Sequence, residues 1–530
     1  MYSECIPFTA IPHTSQLLRD FLYHFDRVQA FYGDAPPQSA EWVHQHVKVP
    51  YDPPRRAAVA DVLERQNRQF GASEKTLANI ERFRRGALAV VTGQQTILFG
   101  GPALCLYKAL TAIKVAQEFT RAGVECVPIF WMATEDHDLA EVNQCTLTAP
   151  SEVRLAAEVE GHGGAPVGEL RFTSQISEAV TRAAEELGEN EIVEALRDSY
   201  LPEQTFGSAF ARLLLQLFSR YGLVMCDPLD LHALVSPVYS AVVERSAELN
   251  RLVQQRGKDL ELAGYHQQVK VTGSTSFLFA IQDGARTPVH RNGNGFTIGD
   301  AKISKAELLE RIRQQPRDIS ANALLRTSVQ DFLFPTIVYI GGPSEVAYFA
   351  QSSVLQRELL GRATPIMHRF SATLVDQHSR KLLERYRLAL PDFFHGPERV
   401  RELLAARNLP KGIETAFTEA QRDLESNLTA IRAELQKLDP TLVDAVARSG
   451  SKMKYQLQRL QARAARAELR RRQDLARHAE QLNATLYPDK ALQERSLPGI
   501  QLLAQHGKEL LDALSDSMRM ECRDHQVVFL

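Results

Sequence analysis

Apolar residues in the first part of the chain follow two periods, one typical of buried strands and the other of helices. Residues 87–92 form a short, apolar, partly β-branched run, as a buried parallel strand does. A glycine-rich loop follows, and residues 102–122 then carry apolar side chains at helical spacing. Pro102 suits the first helical position, and Gly123 suits the helix stop. With the apolar run 126–132 as the next strand, this order predicts a right-handed βαβ unit that opens a Rossmann-like sheet.

The same alternation continues along the chain, with one interruption. Residues 206–222 have a helical pattern, 223–228 have that of a strand, and more helix follows. Residues 265–303 instead hold short apolar runs with "QDGA" and "RNGNG" turns, which indicate β-hairpins. A strand, a Gly-Gly-Pro turn and a helix return at 334–351, and 364–371 is expected to supply the last strand of the sheet.

A long helical stretch from about 414 to 487 has a different pattern. Its apolar positions step by alternating threes and fours from Leu424 onward, as the seam of a coiled coil does. The sequence "LDPTLVDAVARSG" (438–450) is expected to break the run, which predicts two antiparallel helices packed on each other. The closing "HQVVFL" predicts a strand that docks on the body.

These patterns predict an α/β protein with a Rossmann-like parallel sheet core, a small β-rich insertion and a C-terminal antiparallel helical coiled-coil arm. The predicted segments are a helical segment packed on the core (1–85), the first part of the core (86–264), the β-rich insertion (265–303), the second part of the core (304–413), the arm (414–487) and a segment that returns to the core (488–530).

Bulk composition sets limits on partners and location. The net charge is −2, from 62 basic and 64 acidic residues, so it gives no support for a nucleic-acid or membrane partner. The sequence has no uninterrupted apolar stretch of about 18 residues and no signal-peptide pattern at its start, so we expect a cytoplasmic protein. Residues 452–477 hold nine Lys or Arg and two acids, which favours a solvated helical face over nucleic-acid binding.

Cysteines are scattered and form no CxxC pair. This spacing argues against a zinc ribbon or a disulfide framework, and it predicts buried, reduced thiols. The six positions are Cys5, Cys105, Cys126, Cys145, Cys226 and Cys522.

The first candidate site is the loop "TGQQTILFGGP" (92–102), between a predicted strand and a helix N-terminus. Such a loop presents free N–H groups and the positive end of the helix dipole, and its glycines let an anion approach the backbone. It matches neither GxGxxG nor GxxxxGK[ST], so it predicts an anion or nucleotide cradle without a standard fingerprint, and a structural crossover loop remains the alternative. The candidate binding residues here are Thr92, Gly93, Gln94, Gln95, Gly100, Gly101 and Lys108.

The second candidate is the acidic cluster of Glu135, Asp136, His137 and Asp138, directly after the predicted strand 126–132. Ligands bind at the carboxyl edge of an open α/β sheet. These residue types can polarise an amine, position Mg²⁺ or orient a general base, although adjacent residues cannot all point inward. A zinc site is disfavoured because no second ligand pair at helical spacing is evident. A solvated acidic turn that caps a helix is the alternative.

The third candidate is "YIGGPSEVAYF" (339–349), a second strand, Gly-Gly-Pro and helix element. Two such elements in one sheet predict the two sides of one cleft. Arg326 and Arg369 are candidates for carboxylate or phosphate binding, because a guanidinium fork suits both anions. The candidate binding residues of this element are Gly341, Gly342, Glu345 and Tyr348.

One stretch resembles a motif without its context. "KISK" (302–305) is similar to the KMSK loop of class I aminoacyl-tRNA synthetases, and "SKMK" (451–454) is so more loosely. The first lies in the β-rich insertion, and no HIGH motif precedes it. We therefore assign it no catalytic role.

The three candidate stretches together resemble the BshC family, the cysteine ligase of bacillithiol biosynthesis. The resemblance rests on "VTGQQTILFGGPALCLYKALTAIK", "PIFWMATEDHDLAEVN" and "YIGGPSEVAYFAQ", and it extends to "LYPDKALQERSL" and the closing "HQVVFL". It covers essentially the whole chain in order. Two positions depart from the family pattern, because Ile97 and Ser344 stand where glycine is expected.

This resemblance implies a fold, a reaction and partners. It implies a Rossmann-like core with two connecting insertions, and a coiled-coil arm that can pair protomers as a homodimer. It implies that the carboxyl of cysteine is joined to the amino group of glucosaminyl-malate, with ATP and Mg²⁺ as expected cofactors. Asp136, His137 or Asp138 would orient or deprotonate the amine, and Arg326 and Arg369 would hold the malate carboxylates.

Two alternatives to the ligase remain at this point. One is a non-catalytic scaffold that binds a nucleotide and dimerises through the arm. The other is a class I-like adenylyltransferase that acts on another acid.

Overall fold

The structure, a computed structural model, describes residues 2–148, 152–161 and 163–530. Its strands are β1 (Tyr2–Ile6), β2 (Leu88–Gln94), β3 (Cys126–Met132), β4 (Gln144–Leu147), β5 (Val153–Ala156), β6 (Val159–Glu160), β7 (Arg171–Phe172), β8 (Val224–Cys226), β9 (Thr275–Gln282), β10 (Ala285–Asn292), β11 (Gly295–Ile298), β12 (Ala301–Ile303), β13 (Ile319–Ala321), β14 (Thr336–Gly341), β15 (Ile366–His368), β16 (Ala372–Val375) and β17 (His525–Phe529).

Helices outnumber strands in the described residues. They are α1 (Gln16–Tyr23), α2 (Trp42–His46), α3 (Pro53–Gln69), α4 (Glu74–Arg84), α5 (Leu104–Arg121), α6 (Leu139–Val142), α7 (Ile176–Leu187), α8 (Glu191–Ser199), α9 (Phe206–Leu217), α10 (His232–Glu244), α11 (Ser246–Leu262), α12 (Lys305–Gln314), α13 (Ala323–Leu333), α14 (Pro343–Leu360), α15 (Gln377–Tyr386), α16 (Pro397–Arg407), α17 (Lys411–Leu438), α18 (Leu442–Arg471), α19 (Gln473–Leu486), α20 (Gln493–Ser496), α21 (Gly499–His506) and α22 (Leu510–Ser517).

The central sheet has five parallel strands in the order β15-β14-β2-β3-β8. The chain builds one half outward from β2 through β3 to β8, and the other half from β14 to β15. The direction of winding therefore reverses between β2 and β14, and ligands bind at such a switch point in open α/β sheets. This topology confirms the predicted Rossmann-like core.

Helix α5 is buried on nearly every side between the sheet and the returning C-terminal segment. The apolar side chains that the sequence spaces as in a helix are buried: Leu106, Leu110 and Ile113 are at most 4% exposed. The predicted role of Pro102 is wrong: α5 begins at Leu104, and Pro102 instead forms an isolated β-bridge with Pro498. The loop backbone before α5 is thus held by the C-terminal segment.

The β-rich insertion forms a second sheet, in the order β12-β11-β10-β9-β13. The last of these strands lies beyond the predicted range 265–303, because β13 pairs antiparallel with β9 after the chain has passed through α12. The "KISK" stretch contains the N-terminal cap of α12: Ser304 and Glu307 form a reciprocal capping box there. That stretch therefore has a structural role.

The coiled-coil arm is the antiparallel pair α17 and α18. In an antiparallel pair, the two residue numbers of each contact add up to nearly the same value. This holds for Leu428, which lies against Gly450, and for Glu425, which forms a 2.7 Å ion pair with Lys454. The predicted break is too long, because only 439–441 separate the helices and the rest of 438–450 is helical. No residue of α17 is buried, and the exposed large apolar residues of the arm are Ile413, Ile431, Leu438, Met453, Tyr455 and Leu460.

A third sheet brings the first described strand beside the last one, in the order β1-β17-β16. β1 is antiparallel to β17, with Tyr2 opposite Phe529, and β16 is parallel to β17. The strand predicted from "HQVVFL" is confirmed. The sequence did not indicate β1, because its residues are mostly exposed and the strand exists only through its pairing with β17.

Two observations bear on the composition-based expectations. Within the described residues, none of the helices combines the length and apolarity that a membrane span requires. The expectation of buried thiols holds for four of the six cysteines and is wrong for Cys5, which is exposed, and Cys522, which is half-buried.

Candidate active site

A cleft of about 540 Å³ opens at the carboxyl ends of β2, β3 and β14, at the switch point of the sheet. Its volume lies within the range of small-molecule sites. The two Gly-Gly-Pro elements supply opposite walls, through 93–95 on one side and 342–345 on the other. The acidic cluster after β3 supplies a third wall, and the insertion sheet and α13 close the fourth. This confirms the expectation that the two elements flank one cleft.

Lys108 ties the two glycine elements together. It is buried in α5, and its Nζ donates to the carbonyl of Gly93 at 2.7 Å and to Gln94 Oε1 at 2.8 Å. On its other side the ammonium forms an ion pair with Glu345 in the first turn of α14. Burial lowers the pKa of Lys108, while the Glu345 carboxylate opposes that shift. Lys108 therefore links the first glycine element, at Gly93 and Gln94, to the second one, at Glu345.

Both carboxylate oxygens of Glu345, at the N-terminus of α14, accept hydrogen bonds. Its Oε1 accepts from the Tyr339 hydroxyl at 2.6 Å, and its Oε2 accepts from the backbone N–H of Gly342 at 2.7 Å. A carboxylate at this position also suits the positive end of the helix dipole. With the Lys108 ion pair included, Glu345 fixes the shape of the second Gly-Gly-Pro loop.

Asp136 holds the acidic wall in place. Gln95 Nε2 donates to its Oδ2 at 2.6 Å, and the backbone N–H of His137 donates to its Oδ1 at 2.7 Å. Arg286, from β10 of the insertion, lies 3.7 Å from the same Oδ1 and stacks on Phe279. Both carboxylate oxygens are thus occupied, so Asp136 organises this wall and is poorly placed to accept a proton.

His137 projects from the same wall and is 40% exposed. Arg286 Nη1 lies 3.2 Å from its Nδ1. The same Nδ1 lies 3.4 Å from Asp136 Oδ1, so it can accept from the guanidinium or donate to the carboxylate. His137 thus places a partly exposed imidazole in the lining of the cleft.

Glu135 forms a buried pair with a residue from α10. Its Oε1 is 2.6 Å from Nε2 of His232, and His232 Nδ1 is 3.2 Å from the carbonyl oxygen of Arg317. Both partners are acceptors, so an imidazolium that donates from both nitrogens satisfies the site. Burial alone would lower the pKa of His232, but the hydrogen bond and charge of Glu135 outweigh it and raise that pKa. No hydrogen bond from the described residues reaches the second carboxylate oxygen, Oε2, of Glu135, which lines the cleft.

Three further arginines of the cleft lining form what we call its basic wall. Arg326 donates to the Tyr348 hydroxyl at 2.5 Å and to Gln330 at 3.1 Å, and within the described residues it has no carboxylate partner. Arg369 is buried and paired with Glu494 at 2.6 Å. Arg495, from the returning C-terminal segment, is exposed and lines the same wall. Guanidinium groups in this number favour an anionic ligand.

Three polar atoms of cleft residues are buried without a hydrogen-bond partner: Gln95 Oε1, Trp131 Nε1 and Arg369 Nε. Buried polar groups are normally paired, so unpaired ones in a cleft indicate positions that a bound molecule satisfies. One acceptor on the acidic side and two donors elsewhere fit a ligand with an amine at one end and an anion at the other.

The structure does not bring every predicted residue to the cleft. Gly100 and Gly101, with φ of 84° and 70°, shape the turn before α5 and pack against Leu213, Ile97 and Cys105 instead of facing the cleft. Asp138 is exposed and caps α6, as the alternative interpretation of the acidic cluster had it. Thr92 donates to the carbonyl of Ile340 between two strands, and Gly341 is packed against Ile366.

Several cleft residues were missed at the level of sequence. They are Trp131, Glu141, Arg286 and Arg495 in the lining, with His232 behind it. Trp131, Glu141 and Arg495 lie in stretches that carry the family resemblance, but nothing local marked them as cleft residues. Arg286 and His232 lie in segments without a motif.

No metal centre is preformed in the part of the chain that the structure describes. Among those residues, no group of three or more His, Cys, Asp or Glu side chains is arranged to hold a metal ion. A bound Mg²⁺ commonly keeps several waters and is held by one or two carboxylates and by phosphates.

Comparison with known proteins gives matches along the whole chain. The family model "Bacillithiol biosynthesis BshC, N-terminal Rossmann-like domain" matches residues 1–370, and "Bacillithiol biosynthesis BshC, C-terminal coiled-coil domain" matches residues 372–530. Proteins named "Putative cysteine ligase BshC" from Koribacter versatilis and Solibacter usitatus are 44% and 36% identical, each covering 100% of both chains. The protein of that name from Salinibacter ruber is 32% identical over 98% of this chain and 97% of its own.

A solved structure described as a putative arginyl-tRNA synthetase from Campylobacter jejuni covers 88% of this chain and 99% of its own. Its identity is 10% and its TM-score is 0.22, too low for any structural conclusion.

Proposed function

The chain belongs to the BshC family of bacillithiol biosynthesis, and from that membership we propose that it is a ligase that joins the carboxyl of cysteine to the amino group of glucosaminyl-malate. The observation that carries the proposal is the cleft itself, whose lining holds both carboxylates and arginines at the switch point of the sheet. The amine-bearing substrate has an amine and two carboxylates, and the two walls match these groups in charge.

The basic wall is the proposed site for the malate carboxylates. Arg326 has no carboxylate partner among the described residues, so its charge is free to be neutralised by substrate. Arg369 lines the same cleft and shares its charge with Glu494. Planar guanidinium groups can bind carboxylates in a bidentate manner, which fixes orientation as well as affinity.

Glu135 is the proposed acceptor of the amine proton. An amine attacks a carboxyl only after it has lost a proton, and a carboxylate within hydrogen-bond reach can take that proton. Its Oε2 lines the cleft, while His232 holds Oε1 and fixes the orientation of the carboxylate. Asp136 positions this wall through Gln95 and Arg286.

ATP is the proposed source of carboxyl activation, and the donor set of the basic wall fits its phosphates as well as a carboxylate. Arg495, which is exposed at the cleft, would hold the phosphate groups, while Arg326 and Arg369 would hold the carboxylates. When bound, ATP would supply a leaving group on the cysteine carboxyl.

A homodimer through the arm is part of the proposal. Large apolar side chains such as Ile431, Met453 and Leu460 are half or more exposed on α17 and α18. Large apolar side chains exposed on a helical pair are typical of an interaction surface. Sedimentation equilibrium of the full chain would measure the mass, and a strictly monomeric protein at high concentration would contradict this part.

The test of function is mass spectrometry of the purified chain incubated with glucosaminyl-malate, cysteine, ATP and Mg²⁺, with each component omitted in turn. Product that requires all three organic substrates would support the ligase, and the omission of Mg²⁺ would test the metal. Nucleotide binding without ATP consumption would favour the non-catalytic scaffold. Exchange of pyrophosphate into ATP that depends on an acid other than cysteine would favour an adenylyltransferase of a different substrate.

An Arg326→Lys variant is expected to raise KM for glucosaminyl-malate by about ten- to hundredfold, the equivalent of one or two lost charge-assisted hydrogen bonds. The KM for cysteine should change much less, because only one substrate carries the malate. Steady-state kinetics with each substrate varied in turn measures both values. Arg256→Lys is the matched control, since Arg256 donates to the carbonyls of Phe31 and Ala350 outside the cleft. Equal KM changes for both substrates would contradict the assignment.

A His137→Ala variant is expected to cut turnover well beyond any loss of stability, because the side chain is 40% exposed and lines the cleft beside Asp136 and Arg286. Product formation and thermal unfolding, measured on the same preparation, separate the two effects. His46→Ala provides a comparison, since His46 stacks on Trp42 away from the cleft. A folded, fully active His137 variant would remove this residue from the mechanism.

A further inference from the structure

The two cysteines that are not buried lie side by side. Cys5 is exposed in β1, Cys522 is half-buried in the turn before β17, and their Sγ atoms are 3.6 Å apart. A disulfide needs about 2.05 Å between its sulfur atoms. Rotation of the two side chains toward each other is therefore the main movement that would bring their sulfur atoms to bonding distance.

Contacts on both sides hold the pair together. Cys5 lies opposite Gln526 in the ladder that joins β1 to β17. The turn that carries Cys522 is fixed to α1 by Tyr23, whose hydroxyl donates to Asp524 Oδ1 at 2.7 Å. The short distance between the thiols is therefore a property of the folded sheet and not of a free loop.

We propose that Cys5 and Cys522 form a modification site for low-molecular-weight disulfides and close to an intramolecular disulfide by thiol–disulfide exchange. In the first step one cysteine, having lost its proton to solvent, attacks a disulfide RSSR; a protein–S–S–R bond forms, and RS⁻ leaves and is protonated. In the second step the other cysteine thiolate attacks the protein sulfur of that mixed disulfide, and the second RS⁻ leaves. Two protein thiols are oxidised and one RSSR is reduced to two RSH, so atoms and electrons balance.

The surroundings of Cys5 predict how the exchange depends on pH. Burial and the neighbouring Cys522 thiol raise the pKa of Cys5 to about 11, Asp524 adds to the rise, and Arg519 opposes it. The thiolate is the attacking species, so exchange that begins at Cys5 accelerates as pH rises toward that value. At neutral pH the reaction is slow and therefore selective for a pair that is already in place.

The other four cysteines serve as internal controls. Cys105, Cys126, Cys145 and Cys226 are buried. Burial raises the pKa of Cys105, Cys126 and Cys145 to about 12. In the folded protein these thiols neither meet an external disulfide nor form thiolates readily.

Formation of the Cys5–Cys522 disulfide would also affect residues outside the third sheet. The turn that carries Cys522 borders a small cavity whose wall includes Arg369, which also lines the cleft. If the proposed function holds, the oxidised form of the product is itself a low-molecular-weight disulfide. The ratio of oxidised to reduced product would then set the fraction of the protein in which Cys5 and Cys522 form a disulfide.

The test uses the full chain, folded and reduced, incubated with oxidised glutathione at neutral and at mildly alkaline pH. Free thiols are then alkylated, and the protein is analysed as an intact mass and as peptides. The expected result is a mass lower by two hydrogen atoms and a cross-linked peptide that contains Cys5 and Cys522, formed faster at the higher pH. The four buried thiols should react with the alkylating agent only after unfolding.

Single variants separate the two steps. In Cys5→Ser or Cys522→Ser the remaining cysteine is expected to retain glutathione as a stable mixed disulfide, and circular dichroism would check that the variants are folded. Two unmodified thiols in the folded wild type, or glutathione on each without a cross-link, would overturn the proposal. Repeating the incubation with oxidised bacillithiol tests the link to the product. Because the readout is a peptide mass, a chain without ligase activity would count against the proposed function and not against this site.

Discussion

Exchange of Glu135 for glutamine is expected to lower kcat for bacillithiol formation by about 10²- to 10⁴-fold, the contribution typical of a positioned general base. The amide keeps the size of the side chain and can still hydrogen-bond His232, so the fold should survive. Mass-spectrometric rates under saturating substrates measure the effect. Asp331→Asn is the matched control, because Asp331 is a buried carboxylate that accepts from Gln356 away from the cleft.

The same variant has a second readout in the pH dependence of stability. A histidine with a raised folded pKa stabilises the native state below its unfolded pKa, about 6.5, and this contribution is lost as pH rises through the folded pKa. Glu135 raises the pKa of His232, so the wild type should exceed Glu135→Gln in melting temperature most at mildly acidic pH. The gap should narrow toward alkaline pH. A gap that is constant with pH, together with wild-type turnover, would show that the pair has neither role.

A Lys108→Met variant is expected to lose about 3–5 kcal/mol of unfolding free energy, the usual cost of removing one partner of a buried ion pair. The loss has a clear physical origin. Methionine leaves the Glu345 carboxylate, which is only 12% exposed, without its cation, and it also removes the donor to Gly93 and Gln94. The two glycine elements lose the side chain that connects them, so the cleft between them should be less ordered. Activity should therefore fall by more than the stability change alone explains. Urea unfolding followed by circular dichroism measures the stability.

A double-mutant cycle distinguishes the ion pair from simple packing. Glu345→Gln in the Lys108→Met background removes the uncompensated charge, so the double variant should be less destabilised than the sum of the two single changes. The single carbonyl oxygen of the glutamine can still accept from the Gly342 N–H, and its amide can donate to the Tyr339 hydroxyl, which is able to accept. Strict additivity of the two free energies would contradict a coupled pair.

The elements of the core were predictable because their signals are local. The strands around 87–92 and 126–132 and the helix between them follow from apolar periodicity, and the structure has β2, β3 and α5 there. By contrast, β1 has four exposed residues out of five and is a strand only because β17 lies beside it. A strand that depends on a partner from the far end of the sequence carries no pattern of its own.

The site was predicted in part for the same reason. Motif position gave the acidic cluster and the two glycine elements, which do meet at the cleft. The glycine content of the first loop could not show which residues face the ligand, so Gly100 and Gly101 were assigned to binding although Gly100 packs against α9 and Gly101 against Ile97 and Cys105. Arg286 and His232 lie in segments without a motif and reach the site only through the tertiary fold.

The wall that carries Arg495 also sets an order of events during protein synthesis. Glu494 and Arg495 emerge from the ribosome long after the glycine loop that they help to complete, and β17 emerges later still. Until then β1 has no partner strand, and Arg369 lacks the carboxylate that neutralises it. Nascent polypeptides therefore cannot hold an assembled catalytic cleft, and a translation product that stops within the arm is expected to be a target for proteolysis, not a partly active enzyme.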